Sequence, residues 1–263
     1  MTSVSDGAYA LSNAWQQARE RLALLEDELD PATQRRLLAC GVTAGWHCLE
    51  VGAGGGSIAH WLCRQVGRDG RVLATDIDTT LVAVDAPSNL ELATHDLTRN
   101  PLPPAEFDLV HCRWLLHHLP DIDDAIGRLL GAVKPGGVLL IEEPDFFPVH
   151  AGAPALYARF MDALTRAVVA HTGRDCYWAR NLPAMLEHHD LQAVEADAQV
   201  AVLRGSGPLA RFYRLSGRQA RPRVLDTGLL TEADYDGALE LLNDPGLWAF
   251  GACTVAAWGR RPA

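Results

Sequence analysis

LEVGAGGGS, Leu49 to Ser57, sets four glycines and one acid directly after an apolar run. Glycine has no Cβ, so it reaches backbone angles closed to other residues and lets a ligand touch the main chain. The stretch reads as the turn between a first strand and a first helix. On an open α/β sheet a nucleotide-sized ligand binds at that turn, at the carboxyl ends of the strands. A dinucleotide fingerprint would run G-x-G-x-x-G, with its third glycine packing the helix beneath a pyrophosphate. Here the spacing is Glu50-x-Gly52-x-Gly54-x-Gly56, and Ser57 stands where that third glycine belongs. An acid inside the loop suits a cation or an amine better than a pyrophosphate.

On both sides the apolar pattern alternates between strand and helix. WHCLEV (46–51) reads as a buried strand and SIAHWLCRQVG (57–67) as a helix stopped by Gly67. RVLATDID (71–78) and LELATHD (90–96) are strands, with the short, proline-containing helix TTLVAVDAPSN between them. FDLVHC (107–112) is a fourth strand, and DIDDAIGRLLGAV (121–133) is a helix with acids at the positive end of its dipole. KPGG closes that helix, and VLLIEE (138–143) is a fifth strand. Strands alternating with helices imply a doubly wound α/β sheet, mostly parallel and covered on both faces.

Ahead of this core, Leu11, Trp15, Ala18, Leu22, Leu25 and Leu29 form one stripe of a helix. Asp30 and Pro31 then have the form of an N-cap and first helical residue, which predicts a second helix ending near Gly41. Behind the core, helical spacing returns over 148–190, before the strand-like LQAVEADAQVAVL, a helical region over 208–247 and a last strand at CTVAAWGRR. The expected organisation is N-terminal helices over 1–41, a cofactor-binding half over 42–145, a helical cap insertion over 146–190, and C-terminal strands and helices over 191–263.

The formal charge of −10 and the absence of any Lys/Arg cluster argue against a phosphate-backbone binder. No apolar run reaches the length of a membrane span, and the first residues lack a basic start and an apolar signal core, so a cytoplasmic protein without membrane contact is expected. Six cysteines without a C-x-x-C pair read as buried, reduced thiols. A homodimer is compatible with all of this.

The loop and the residues after it resemble the class I S-adenosylmethionine-dependent methyltransferases, whose first motif is E/D-x-G-x-G-x-G after the first strand. In that family a carboxylate ending the second strand holds both ribose hydroxyls; Asp76, in LATDID, sits 24 residues past Gly52. An acid after the third strand bonds the adenine amino group, and THDL offers Asp96, with Leu97 supplying a backbone N–H. FDLV, LLHHLPD and KPGG succeed one another in the family's order. The resemblance covers about Leu49 to Glu142, and AAWGRRP more loosely. It implies a seven-stranded Rossmann-like fold with S-adenosylmethionine as cofactor. Glu50, Gly52, Gly54, Asp76, Ile77, Asp96, Leu97 and Arg113 would line its site, and Tyr9 would close over it from an N-terminal lid. Nicotinamide-dependent oxidoreduction is the alternative outside this family, and cofactor use without methyl transfer, as a cyclase or a binding protein, is the one within it.

Methyl transfer is an in-line displacement, so the protein's tasks are alignment and exclusion of water. A hydroxyl or activated carbon acceptor needs a base near neutral pKa, which histidine supplies unperturbed. His117, just past the fourth strand, and Glu142, ending the fifth, are the catalytic candidates. His117 and His118 would diverge by about 100° on a helix, leaving one for the pocket. No metal site is expected, since Pro120 interrupts His117 and Asp121. Phe146, Phe147, Tyr157, Phe160, Met161, Tyr177 and Trp178 give the cap an aromatic density that suggests a small, apolar or aromatic acceptor.

Overall fold

The apolar runs on either side of the glycine stretch become strands β1 (His47–Val51), β2 (Arg71–Asp76), β3 (Leu90–Thr94), β4 (Phe107–Arg113) and β5 (Val133–Asp145). With β6 (Gln192–Arg204) and β7 (Trp248–Arg260) they form one sheet in the order β3-β2-β1-β4-β5-β7-β6. The computed structural model describes residues 11–82, 87–170 and 172–263. β1 pairs parallel with both β2 and β4, so chain order reverses across β1, and the crevice this makes at the strands' carboxyl ends holds the glycine loop. The doubly wound seven-stranded sheet is as expected.

α2 (Ser57–Val66) starts from that loop and ends at Gly67, whose φ is 66°. It buries Ile58, Ala59, Leu62, Cys63 and Val66 against Cys48, Val72 and Ala74, a helical stripe meeting the inward positions of two strands. α3 (Ile122–Ala132) opens on Asp121, whose carboxylate accepts the Asp124 N–H, a side-chain N-cap. Between β2 and β3 a single 3₁₀ turn, Thr79–Leu81, stands where a short helix was expected; residues 83–86 lie outside the described ones. KPGG does not merely end α3. It is taken into β5, and the register against β4 shifts between Phe107 and Leu109 to absorb the extra residues.

Ahead of the sheet the expected break is missing. α1 runs unbroken from Ala18 to Ala39 with Pro31 inside it. Proline costs an interior helix one hydrogen bond and a ring clash, and Asp30 compensates by tertiary bonds to Arg113 and Ser57 rather than by capping. The remaining helices are α4 (Ala155–Val169), α5 (Leu182–His188), α6 (Pro208–Gln219), α7 (Arg221–Asp226) and α8 (Glu232–Leu241).

The chain divides into two compact units: one takes the chain up to Glu28, Pro144–Trp178 and Gln199–Thr254; the other takes Leu29–Glu143, Ala179–Ala198 and Val255–Ala263. In the first, α4 packs on α7 and α8, and Phe160 meets Tyr235 with ring centroids 6.4 Å apart. The second holds the glycine loop and the parallel strands. All six cysteines are buried thiols outside any disulfide, and burial pushes the Cys63 thiol up to about 11 and Cys40 to about 12. Among the described residues no helix is long and apolar enough to cross a membrane.

Candidate active site

Gly52 and Gly56 explain the glycine spacing. Gly52 has φ 76°, its N–H bonds Thr75 O at 2.8 Å, and a Cβ there would lie 3.1 Å from Leu115 Cδ1. At Gly56, with φ 90°, a Cβ would meet Val82 Cγ1 at 2.8 Å. Both positions combine a left-handed backbone with close neighbours, so an added side chain would be strained and would press on Leu115 or Val82. Ser57 has its own task, donating from Oγ to Asp30 Oδ1 at 3.0 Å.

Asp76 ties the loop to the end of β2. Its Oδ2 accepts the Gly54 N–H at 3.0 Å and its Oδ1 the Asp78 N–H at 3.0 Å. Burial raises its pKa, and these backbone bonds only partly counter that. A carboxylate has about four acceptor sites, and beside its backbone bonds from Gly54, Asp78 and Ile77 the group can still accept from a ligand hydroxyl. Ile77, the next residue, is exposed. At the far edge Asp96 Oδ1 accepts the Thr98 N–H (2.9 Å) and hydroxyl (2.6 Å), and its Oδ2 lies 3.3 Å from Arg99 Nε. Leu97 beside it is buried. Tyr9 lies outside the described residues.

Glu50 is buried and faces β4, where the register sets it opposite His111. Its Oε2 is 2.5 Å from His111 Nδ1, and the other ring nitrogen lies 3.5 Å from Glu142 Oε1, an electrostatic contact rather than a formed hydrogen bond. Glu142 Oε2 in turn accepts from Arg36 Nη1 at 2.7 Å and Thr33 Oγ1 at 3.1 Å, and Arg36 also bonds Asp197. Arg113 donates to Thr33 Oγ1 and to Asp30 Oδ1, each at 2.9 Å. Acids and cations thus alternate under the second half of α1. Burial pushes the His111 pKa down, but Glu50 and Glu142 outweigh it and hold it at about 9. For Glu142 burial acts upward, and His111, Arg36 and Arg113 together bring the value below the ordinary carboxylate range.

Two expectations change here. Glu142, a candidate catalytic residue, is fully buried and held as an anion by three partners, which unfits it to take a proton. Arg113, a candidate for the cofactor, uses both terminal nitrogens to brace α1.

Glu143, on the opposite side of β5, organises the turn after β4. Its Oε1 accepts the N–H groups of Leu115 (2.8 Å) and Leu116 (2.7 Å), and its Oε2 accepts the N–H (3.2 Å) and contacts the Nδ1 (2.9 Å) of His117. That carboxylate supports Trp114, whose φ of 52° costs a bulky residue about 1–3 kcal/mol. It also places Leu115 over Gly52. The histidine pair departs from the helical expectation: in the 3₁₀ turn Leu116–His118 the ring centroids are 3.8 Å apart, and His117 is the more buried of the two.

A methyltransferase-domain family model matches residues 49–141, the stretch from the glycine loop to β5. The chain is 34% identical over 143 residues to methyltransferase str3 of Strobilurus tenacellus, covering 53% of this chain and 50% of that protein. It is 32% identical over 169 residues to the ubiquinone/menaquinone biosynthesis C-methyltransferase UbiE of Pseudomonas putida strain W619, covering 60% and 66%. The chain belongs to the class I S-adenosylmethionine-dependent methyltransferases. It spans about half the length of the curated relatives first matched. Among solved structures the [4+2]-cyclase SpnF shares the fold, with a TM-score of 0.52 and 18% identity over 89% of this chain and 81% of that one.

Within this family member the parts that the sequence reading missed are the supports: Asp30, Thr33, Arg36, His111 and Glu143. Asp30, Thr33 and Arg36 recur at three-residue steps, a signal of one helix side, but only a continuous α1 lets them act together. The cap aromatics divide. Tyr157, Phe160 and Met161 are buried in the packing of their own unit, and Tyr157 OH donates to Phe250 O at 2.7 Å. Phe147 is exposed, and Tyr177 and Trp178 are half-buried.

Proposed function

We propose that this chain transfers a methyl group from S-adenosylmethionine to a small, apolar or aromatic acceptor. The observation that carries the reading is the Asp76 carboxylate, short of water, bonded to the Gly54 N–H and aimed from the end of β2 at the glycine loop. In this reading Asp76 takes the ribose hydroxyls, Gly52 and Gly54 give close backbone approach, and Ile77 flanks the adenine. Asp96 and the Leu97 N–H face its amino group, and Glu50 faces the ammonium end. Bound there, the cofactor supplies an electrophilic methyl on a sulfonium.

His117 is the proposed base. Glu143 accepts from Nδ1–H and fixes the tautomer, which leaves the Nε2 lone pair to receive the acceptor's proton. The names of the UbiE relatives and the exposed Phe147 support an aromatic acceptor, and we assign the choice of acceptor to the cap, residues 146–190. Incubation with methyl-labelled cofactor and a panel of phenols, quinols and amines tests this, the expected result being S-adenosylhomocysteine together with a labelled product. His117→Gln should lower kcat by about 10²–10⁴-fold and leave the affinity for S-adenosylhomocysteine unchanged. Full turnover in that variant removes His117 as base. Cofactor binding with no transfer across the panel favours the cyclase-like or binding use of the fold.

A further inference from the structure

His111 is fully buried on β4 and lies outside the proton-accepting role proposed for His117. The groups facing it come from every side: Glu50 on β1, Glu142 on β5, Arg36 on α1 against the far oxygen of Glu142, and Arg113 two residues along its own strand, tied to Thr33 and Asp30. Asp197, on β6, closes the series beyond Arg36. A neutral imidazole has one N–H and can serve one carboxylate only. Nδ1 bonds Glu50 and Nε2 lies 3.5 Å from Glu142, so two buried anions flank the ring, and the doubly protonated, cationic form is the one that offsets both. Its removal would leave Glu50 buried without its charge partner. Glu50 Oε2 is held by this contact, whereas Oε1 has no hydrogen-bond partner among the described residues.

We propose that His111 is a positioning residue for the cofactor's amino-acid end: by gripping Glu50 Oε2 it directs Oε1 toward the ammonium group. The proposal rests on the S-adenosylmethionine reading of the loop. Its consequence is selective, because the adenosyl half of the ligand lies with Asp76 and Asp96 and makes no use of Glu50. The pKa of about 9 agrees with a ring that stays charged at neutral pH.

The full chain and His111→Gln are titrated calorimetrically with S-adenosylhomocysteine, which carries the ammonium, and with 5′-methylthioadenosine, which lacks it. We expect about a tenfold weaker Kd for the former and less than a twofold change for the latter. In a Glu50→Gln background the His111→Gln change should have no further effect, since the two act as a unit. Equal weakening of both ligands, unchanged binding of S-adenosylhomocysteine, or additive losses would overturn the proposal. If His111→Gln does not fold, ¹⁵N shifts of the imidazole in the unaltered chain decide at pH 8: a doubly protonated ring supports the proposal and a neutral one overturns it. An unaltered chain that binds neither ligand overturns the cofactor reading itself, and this proposal with it.

Discussion

His111 shows how a single buried side chain sets a pH range for stability. Its folded pKa of about 9 stands above the ordinary 6.5, so the folded state holds a proton that the unfolded chain gives up earlier. The stabilisation is complete below about pH 6.5 and is lost as pH rises through 9. Urea denaturation should therefore show the gap between the unaltered chain and His111→Gln at its widest near pH 6.5 and much narrower at pH 9.5. A constant gap would mean the ring carries no extra proton. None of this was legible from the sequence, because a histidine inside FDLVHC is equally compatible with a neutral core residue. The position of Asp76 at the end of β2 was legible, since it is set by strand length and by the turn that succeeds it.

At the scale of elements, α1 is the instructive case. The dipeptide Asp30-Pro31 has every local mark of a helix start, yet the helix continues, because Asp30 bonds Arg113 and Ser57 while Arg36 and Thr33 reach Glu142. Local propensity is overridden by partners about a hundred residues away in sequence, and no window of neighbouring residues contains them. Arg36→Leu would leave the buried Glu142 carboxylate without its hydrogen-bonded guanidinium and should cost about 3–5 kcal/mol of stability by chemical denaturation. Adding Glu142→Gln removes the stranded charge and should recover part of that loss. A single-variant cost below about 1 kcal/mol would show that the pair is solvated in solution. Strands β1 to β4, by contrast, were legible to within two residues at each end, as short runs set between glycine, proline and aspartate punctuation, whereas β5 and β7 both begin about five residues before the runs that marked them. The KPGG segment was placed as a helix stop, and its second role inside β5 depends on the register with β4.

For the whole molecule, the alternation of strand and helix over residues 46–143 foretold the sheet and the crevice beside β1, and the order β3-β2-β1-β4-β5-β7-β6 agrees with that reading. The division into two units was not legible, because it cuts through α1, β5, β6 and β7, which periodicity presents as continuous elements. The aromatic residues of the cap misled for a related reason: composition does not distinguish a ring that fills a unit's own core, such as Phe160, from one such as Phe147 that remains exposed. The central claim is that the glycine loop and Asp76 clasp an adenosyl sulfonium. Calorimetric titration of the full chain with S-adenosylhomocysteine, with NADH and NADPH as competitors, tests it most directly. The account predicts one saturable site for S-adenosylhomocysteine, unaffected by either nucleotide and weakened by about 1–3 kcal/mol in Asp76→Ala. Displacement by a nicotinamide nucleotide, or equal affinity in Asp76→Ala, would contradict it.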